Sequence, residues 1–190
     1  MKRRYELKER ARRQAETRQR IVEAAVALHT SVGPARTTIS AIAERAGVER
    51  HTVYAHFPDD ATLFRACSTH WRGQHPRPDL KHWLELDVPE QRLRGVLSDL
   101  YAWYEDVESD LEVLLRDARL VPAQAEAMAD TTAAASELAD DLARDWPRRK
   151  TVRAAIGHAL EFETWRSLVR RHGLTRGQAV DSMLDFVQAV

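Results

Sequence analysis

The stretch Ile39-Ser40-Ala41-Ile42-Ala43-Glu44-Arg45-Ala46-Gly47-Val48-Glu49-Arg50-His51-Thr52-Val53-Tyr54 decides how this chain is read. It holds two short helices, Ile39 to Ala46 and about Arg50 to His56, separated by a turn at Gly47. Two helices joined so tightly cross steeply, which calls for a small side chain at the crossing and a glycine at the turn. Ala43 and Gly47 meet those demands. Ile42, Ala46, Val48 and Val53 are the apolar positions expected to hold the second helix against its neighbours. Arg50, His51, Thr52, Ala55 and His56 are left facing outward, a surface whose cations and hydroxyl suit base edges in a major groove.

Helical spacing continues on both sides of this stretch. Ile21, Ala25, Leu28 and Val32 form one stripe of a preceding helix that starts within a basic leader. Thr37-Thr38 offers the N-cap of the Ile39 helix, and Asp59 caps a fourth helix carrying Leu63, Phe64, Cys67 and Trp71. His75-Pro76-Arg77-Pro78 breaks the chain. After Pro89 an amphipathic segment places Leu93, Val96, Leu97, Leu100, Trp103, Tyr104 and Val107 on one face. Ser109 with Glu112 reads as a capping box that opens a separate helix ending near Arg119. Pro122 opens an Ala-rich helix to about Arg144, and Pro147 opens a single helix to Arg171, closed by His172-Gly173. Thr175 with Gln178 is a second capping box, for a last helix through Val187. No segment alternates as a strand would. The expectation is an all-α chain of about nine helices, divided into residues 1–60 (basic arm and helix-turn-helix) and 61–190 (helical body).

Charge is unevenly placed. The 190 residues carry 29 Lys or Arg and 29 Asp or Glu. Residues 1–56 hold 12 basic and 6 acidic side chains, whereas residues 57–190 hold 17 and 23. A neutral total therefore hides a basic N-terminal segment on an acidic body, which points to an anionic partner at one end. The one cysteine, Cys67, forms no internal disulfide and sits on the buried stripe of the fourth helix, as an inert thiol would. No apolar run approaches a membrane span and no signal-like leader exists, so a soluble, cytoplasmic protein is expected. His70, His75 and His82 straddle two prolines without the spacing of a metal site, and neither a phosphate loop nor a nucleophile elbow is present. The sequence thus predicts no enzyme, no metal and no cofactor.

Residues 17–64 resemble the DNA-binding region of the tetracycline-repressor (TetR) family. The matching run is Arg20-Ile21, Ala24-Ala25, Leu28, Gly33, Thr37-Thr38, Ile42-Ala43-Glu44-Arg45-Ala46-Gly47-Val48, Thr52-Val53-Tyr54-Ala55-His56-Phe57 and Leu63-Phe64. The resemblance implies an all-helical homodimer that reads a palindromic operator in double-stranded DNA, with a C-terminal domain for a small effector and for dimerisation. Carried over position by position, Arg36 and Thr37 would contact DNA, Thr38 would cap the second helix against a phosphate, Ser40 would meet a base or a phosphate, and Tyr54 and His56 would hold phosphates. Arg50, His51 and Thr52 would lie nearest the bases, with Arg50 the candidate for a guanine. Three positions depart from the family pattern. Glu49 and His51 stand where Ser and Gly are common, and Asp60 replaces a lysine at the start of the fourth helix. The leader (Lys2, Arg3, Arg4, Lys8, Arg10, Arg12, Arg13) can compensate as a DNA-contacting arm, or be a solvated helix with Glu6, Glu9 and Glu16 as internal partners.

Read as one helix, residues 147–171 are apolar around much of the circumference, which calls for burial on two sides. Together with the last helix they supply the expected dimer interface: Ala155, Ile156, Ala159, Leu160, Glu163, Met183 and Val187. Glu163 and Arg166 form an i,i+3 pair, best read as a rim ion pair. Trp71, Tyr101, Tyr104, Met128, Phe162 and Trp165 are candidates to line an effector site, although a stripe such as Leu100-Trp103-Tyr104 equally suits a core. The function expected is a ligand-responsive, sequence-specific transcriptional repressor released from DNA by a small apolar or aromatic effector. The alternative is a helical small-molecule-binding or interaction protein whose basic end meets an acidic protein or a membrane surface.

Overall fold

The computed structural model describes residues 2–190, with side chains from Tyr5 onward. All regular structure among these residues is helical: α1 (Lys2–Ser31), a 3-10 turn (Pro34–Arg36), α2 (Ile39–Ala46), α3 (Arg50–His56), α4 (Asp60–Gln74), α5 (Lys81–Leu84), α6 (Pro89–Asp117), α7 (Pro122–Ala143), α8 (Arg149–Ala159), α9 (Phe162–Arg166) running into a π turn (Ser167–Arg171), and α10 (Arg176–Ala189). None of the described helices is long and apolar enough to cross a membrane. The chain divides into two compact units, residues 1–76 with 109–128 and residues 77–108 with 129–190.

The first unit is built on α1, α2, α3 and α4. Ile21, Val22, Ala24 and Ala25 of α1 share one core with Ile42, Ala43 and Ala46 of α2, Val53 of α3, Phe57, and Leu63 and Cys67 of α4. Burial pushes the Cys67 thiol up to about 12, so it stays protonated. His29 is 5% exposed and stacks on Phe64 at 4.7 Å between ring centroids. Asp59 caps α4 by accepting from the Thr62 N–H at 2.7 Å, as the sequence predicts.

The second unit packs the apolar face of α6 (Leu93, Val96, Leu97, Leu100, Tyr101, Trp103, Tyr104 and Val107, all buried). Arg92, 2% exposed, reaches Asp145 at 2.5 Å, and the short α5 is pinned by the Trp83 indole N–H, which donates to Asp99 at 2.6 Å. α10 begins with the capping box of Thr175 and Gln178 read from the sequence.

Two expected boundaries are corrected. Ser109 caps nothing: α6 runs unbroken from Pro89 to Asp117, because no Gly or Pro lies between Val96 and Asp117 to end the ladder near Ser109, and the local Ser–Glu pair cannot outweigh a continuous helix. The single helix over 147–171 is instead broken at Leu160-Glu161. There the Tyr101 hydroxyl donates to the Ala159 carbonyl at 2.8 Å and the Tyr104 hydroxyl to the Leu160 carbonyl at 2.6 Å. Buried phenols from α6 thus satisfy carbonyls that would otherwise continue the helix.

Burial lowers the His29 pKa to about 4, against 6.5 for a free imidazole. The unfolded chain binds the proton that the folded chain refuses, so stability is full above about pH 6.5 and declines as pH falls toward 4. The shift amounts to at most about 3 kcal/mol. Denaturant titrations from pH 7 to pH 4 should show this decline, and His29→Leu should flatten it.

Candidate nucleic-acid interface

The surface centred on α3 is positioned by two chain reversals. Gly47 ends α2 with φ +66°, a left-handed conformation that favours glycine. Its N–H donates to the Glu44 carbonyl at 3.1 Å and the Val48 N–H to the Ala43 carbonyl at 3.0 Å, the paired bonds of a Schellman turn. Arg20 of α1 donates to the Ala46 carbonyl at 3.1 Å, closing the same corner. α3 then leaves at an angle set by Val53, which is fully buried.

Seven residues make only two helical turns, and the outward set is narrower than the sequence suggests. Arg50, His51, Tyr54 and Ala55 are exposed, and Tyr54 keeps 48% of its surface. Thr52 and His56 are half-buried instead. Both line a groove against the N-terminal half of α1, shared with Tyr5, Arg10, Arg13 and Gln14. The physical reason is the leader: it continues α1 as a helix alongside that flank of α3. Glu49 precedes α3 without a side-chain cap.

The second reversal joins α1 to α2. Thr38 caps α2 by accepting from the Ala41 N–H at 3.1 Å, and the Thr37 hydroxyl donates to the Gly33 carbonyl at 2.8 Å. Arg36, Thr38 and Ser40 are exposed beside α2, and Thr37 is half-buried. A carboxylate from the end of α6 fixes this turn. Asp117, 3% exposed, accepts from the Ala35 N–H at 3.0 Å and from Arg116 Nε at 2.8 Å. Arg116 also donates to the Val32 carbonyl at 3.2 Å. The Arg116 guanidinium holds the Asp117 carboxyl below the usual carboxylate range. No local signal announces this contact, because the partners lie 82 positions apart.

The remaining predicted site residues lie elsewhere. In the second unit Tyr104 touches Tyr101, Phe162 and Trp165 with ring centroids 5.4–6.3 Å apart. Trp165 is fully buried and its indole N–H has no hydrogen-bond partner. In the first unit Trp71 donates to Asp110 at 2.7 Å, and Gln124 donates to the Leu114 carbonyl at 2.7 Å next to Met128. Of the expected dimer residues, Ala155, Ile156, Ala159, Leu160 and Val187 are buried within the single chain. Glu163 is exposed and Met183 half-buried, and Arg166 lies 3.9 Å from Glu163. The α8 and α10 side chains still open to solvent include Ala154, His158 and Phe186. Among the described residues no group of His, Cys, Asp or Glu is placed to hold a metal ion.

Residues 21–67 match the family described as "Bacterial regulatory proteins, tetR family". Solved structures match along nearly the whole chain. A TetR-like transcriptional regulator from Rhodococcus sp. RHA1 is 18% identical with a TM-score of 0.62, covering 90% of this chain and 93% of that one. NalD, the secondary repressor of the MexAB-OprM multidrug efflux pump in Pseudomonas aeruginosa, is 21% identical with a TM-score of 0.57, covering 93% and 96%. The multidrug binding protein EbrR, complexed with imidazole, is 20% identical with a TM-score of 0.59, covering 90% and 93%. No curated protein matches the sequence. The TetR resemblance is thus borne out: the chain has the fold of TetR-family regulators, and residues 21–67 match that family's model.

At Gly33, φ is +101° and an added Cβ would stand 2.2 Å from a carboxylate oxygen of Asp117. Gly33→Ala should therefore destabilise the chain by about 2–3 kcal/mol, read as a shift of the denaturant midpoint. Thr38→Ala, which removes only the cap, should cost about 1 kcal/mol.

Proposed function

We propose that this chain, with its TetR-family fold, is a ligand-responsive transcriptional repressor that binds a palindromic operator as a homodimer in the cytoplasm. The observation that carries this reading is α3 itself: Arg50, His51, Tyr54 and Ala55 exposed on a short helix whose buried Val53 locks it to α1 and α2. Arg50 reads a base edge, His51 and Thr52 lie beside it, and Tyr54, Thr38, Ser40 and Arg36 hold phosphates. His56, on the half-buried flank of α3, reaches a phosphate, and Thr37 supports the module beside α2. Phosphate contacts set register and affinity, while base-edge contacts set the sequence preferred.

Two copies would pair through α8 and α10. Phe186 is 42% exposed and meets His158 edge-on at 6.3 Å. Nothing lies within 4 Å of where a Cβ on Gly157 would stand, so a partner helix can approach closely there. Met183 and Glu163 would border that surface. Pairing places the two α3 helices about 34–36 Å apart, one turn of duplex. An effector that prefers a conformer with another spacing drains the DNA-competent population, by no more than its differential affinity for the two states. EbrR is a multidrug binding protein and NalD a repressor of a multidrug efflux pump, and by analogy the effector is a small apolar or aromatic molecule. The aromatic group of Tyr101, Tyr104, Phe162 and Trp165 supplies the contacts, with the unpaired Trp165 N–H available to an acceptor on the ligand. Trp71 and Met128 remain candidates from the sequence pattern alone.

Selecting bound duplexes from a random library tests the reading, and a palindrome is expected. Against the recovered site, Arg50→Ala should relax base preference by about 1–3 kcal/mol at one position per half-site, whereas Tyr54→Phe should weaken all duplexes about equally. Phe186→Glu should yield a monomer in sedimentation and weaken operator binding. A wild-type chain with no preferred sequence would favour the acidic-protein or membrane reading instead.

A further inference from the structure

The positive charge of the N-terminal segment does not lie on the helix-turn-helix. Residues 21–56 are even in charge, with Arg36, Arg45 and Arg50 set against Glu23, Glu44 and Glu49. Asp59 and Asp60 follow α3 directly. Residues 1–20 hold nine Lys or Arg and only three Asp or Glu. Affinity for a duplex comes largely from neutralised phosphates, and the reading module by itself has no excess of cations to supply it.

The structure places the missing charge beside α3. Tyr5 to Arg20 are exposed apart from half-buried Glu9 and Thr17, and the first core residue of α1 is Ile21. Nineteen residues of helix before it span about 28 Å. This segment is a stiff arm: Arg12 bridges Glu9 at 2.6 Å and Glu16 at 2.9 Å along one face. Its other side faces α3 across a groove of about 480 Å³, with Tyr5, Arg10, Arg13 and Gln14 on one wall and Thr52 and His56 on the other. Glu6 and Glu9 also border the groove, and Arg13 lies 3.3 Å from Glu9. The remaining arginines are committed to the fold, since Arg18 lies 4.7 Å over the Phe57 ring and Arg20 holds the Ala46 carbonyl.

We propose that the projecting half of α1 is the main phosphate grip of this protein, with one sugar-phosphate strand lying in the groove between α1 and α3. Arg10 and Arg13 hold that strand, while Tyr5, Gln14, Thr52 and His56 supply hydrogen bonds to it. α3 reads the bases and the arm provides most of the sequence-independent affinity. This proposal rests on the DNA-binding reading. The side chains of Lys2, Arg3 and Arg4, counted with the arm in the sequence, lie outside the described residues.

The test uses the full chain, a mixed-sequence 30-base-pair duplex and the duplex recovered by selection, with affinities measured across a salt series. In the double variant Arg10→Gln, Arg13→Gln, the slope of log affinity against log salt should flatten by about 2. Affinity for the mixed duplex should fall at least about tenfold at low salt. Preference among single-base variants of the recovered site should stay as in the wild type. Glu9→Gln, which removes the carboxylate beside Arg13, should act in the opposite direction and tighten binding to the mixed duplex. A double variant with the wild-type slope and affinity would overturn the arm's role and leave the regulator reading intact, as would a double variant that loses base preference. A wild-type chain that binds neither duplex at low salt would overturn both.

Discussion

A helix of seven residues does not hold together in water by itself; its first turn fixes more backbone than its few hydrogen bonds return. α3 is helical because Val53 and the following Phe57 are buried against α1, α2 and α4. The direction in which Arg50, His51 and Tyr54 point is therefore a property of the packing of one valine, and everything asked of that surface follows from it. Gly47 and Arg20 fix the corner from which α3 departs, and Asp117 fixes the turn that launches α2. The reading face has no rigidity of its own. It borrows rigidity from a core in which the small side chains Ala24, Ala25, Ala43 and Ala46 let the helices approach closely.

Much of this architecture is legible along the chain because the relevant physics is local. Thr38, Asp59 and Thr175 each cap the helix expected of them, since a side-chain oxygen three residues from an N–H needs nothing distant to form its bond. Gly47 is readable for the same reason. The failures share the opposite cause. The break at Leu160-Glu161 depends on two tyrosine hydroxyls donated from α6, more than fifty positions away, and no local signal announces it. Ser109 and Glu112 look like a helix start only when the continuing ladder around them is ignored. On α3, helical periodicity turns Thr52 and His56 outward, whereas their half-burial comes from the leader helix beside them, which no pattern within α3 announces.

The division of charge bears on how such a module can change its target. If cations and base-reading side chains sit on different helices, substitutions on α3 can alter which sequence is preferred while the general attraction to duplex stays on α1. Burial separates the histidines in the same way. His29 is sealed in the core and kept neutral by desolvation, while His51 stays at the surface.

The contact between Asp117 and the turn at Ala35 has a further consequence, for the order of events at the ribosome. The N-terminal unit includes residues 109–128 as well as 1–76, so the first 76 residues emerge before the segment that braces them exists. A nascent chain stalled there exposes a turn whose Ala35 amide lacks its carboxylate and a glycine whose left-handed backbone has no brace. The unit that carries α3 is finished only after the last turn of α6 has left the exit tunnel, which makes its maturation wait until the chain has grown from residue 76 past residue 117.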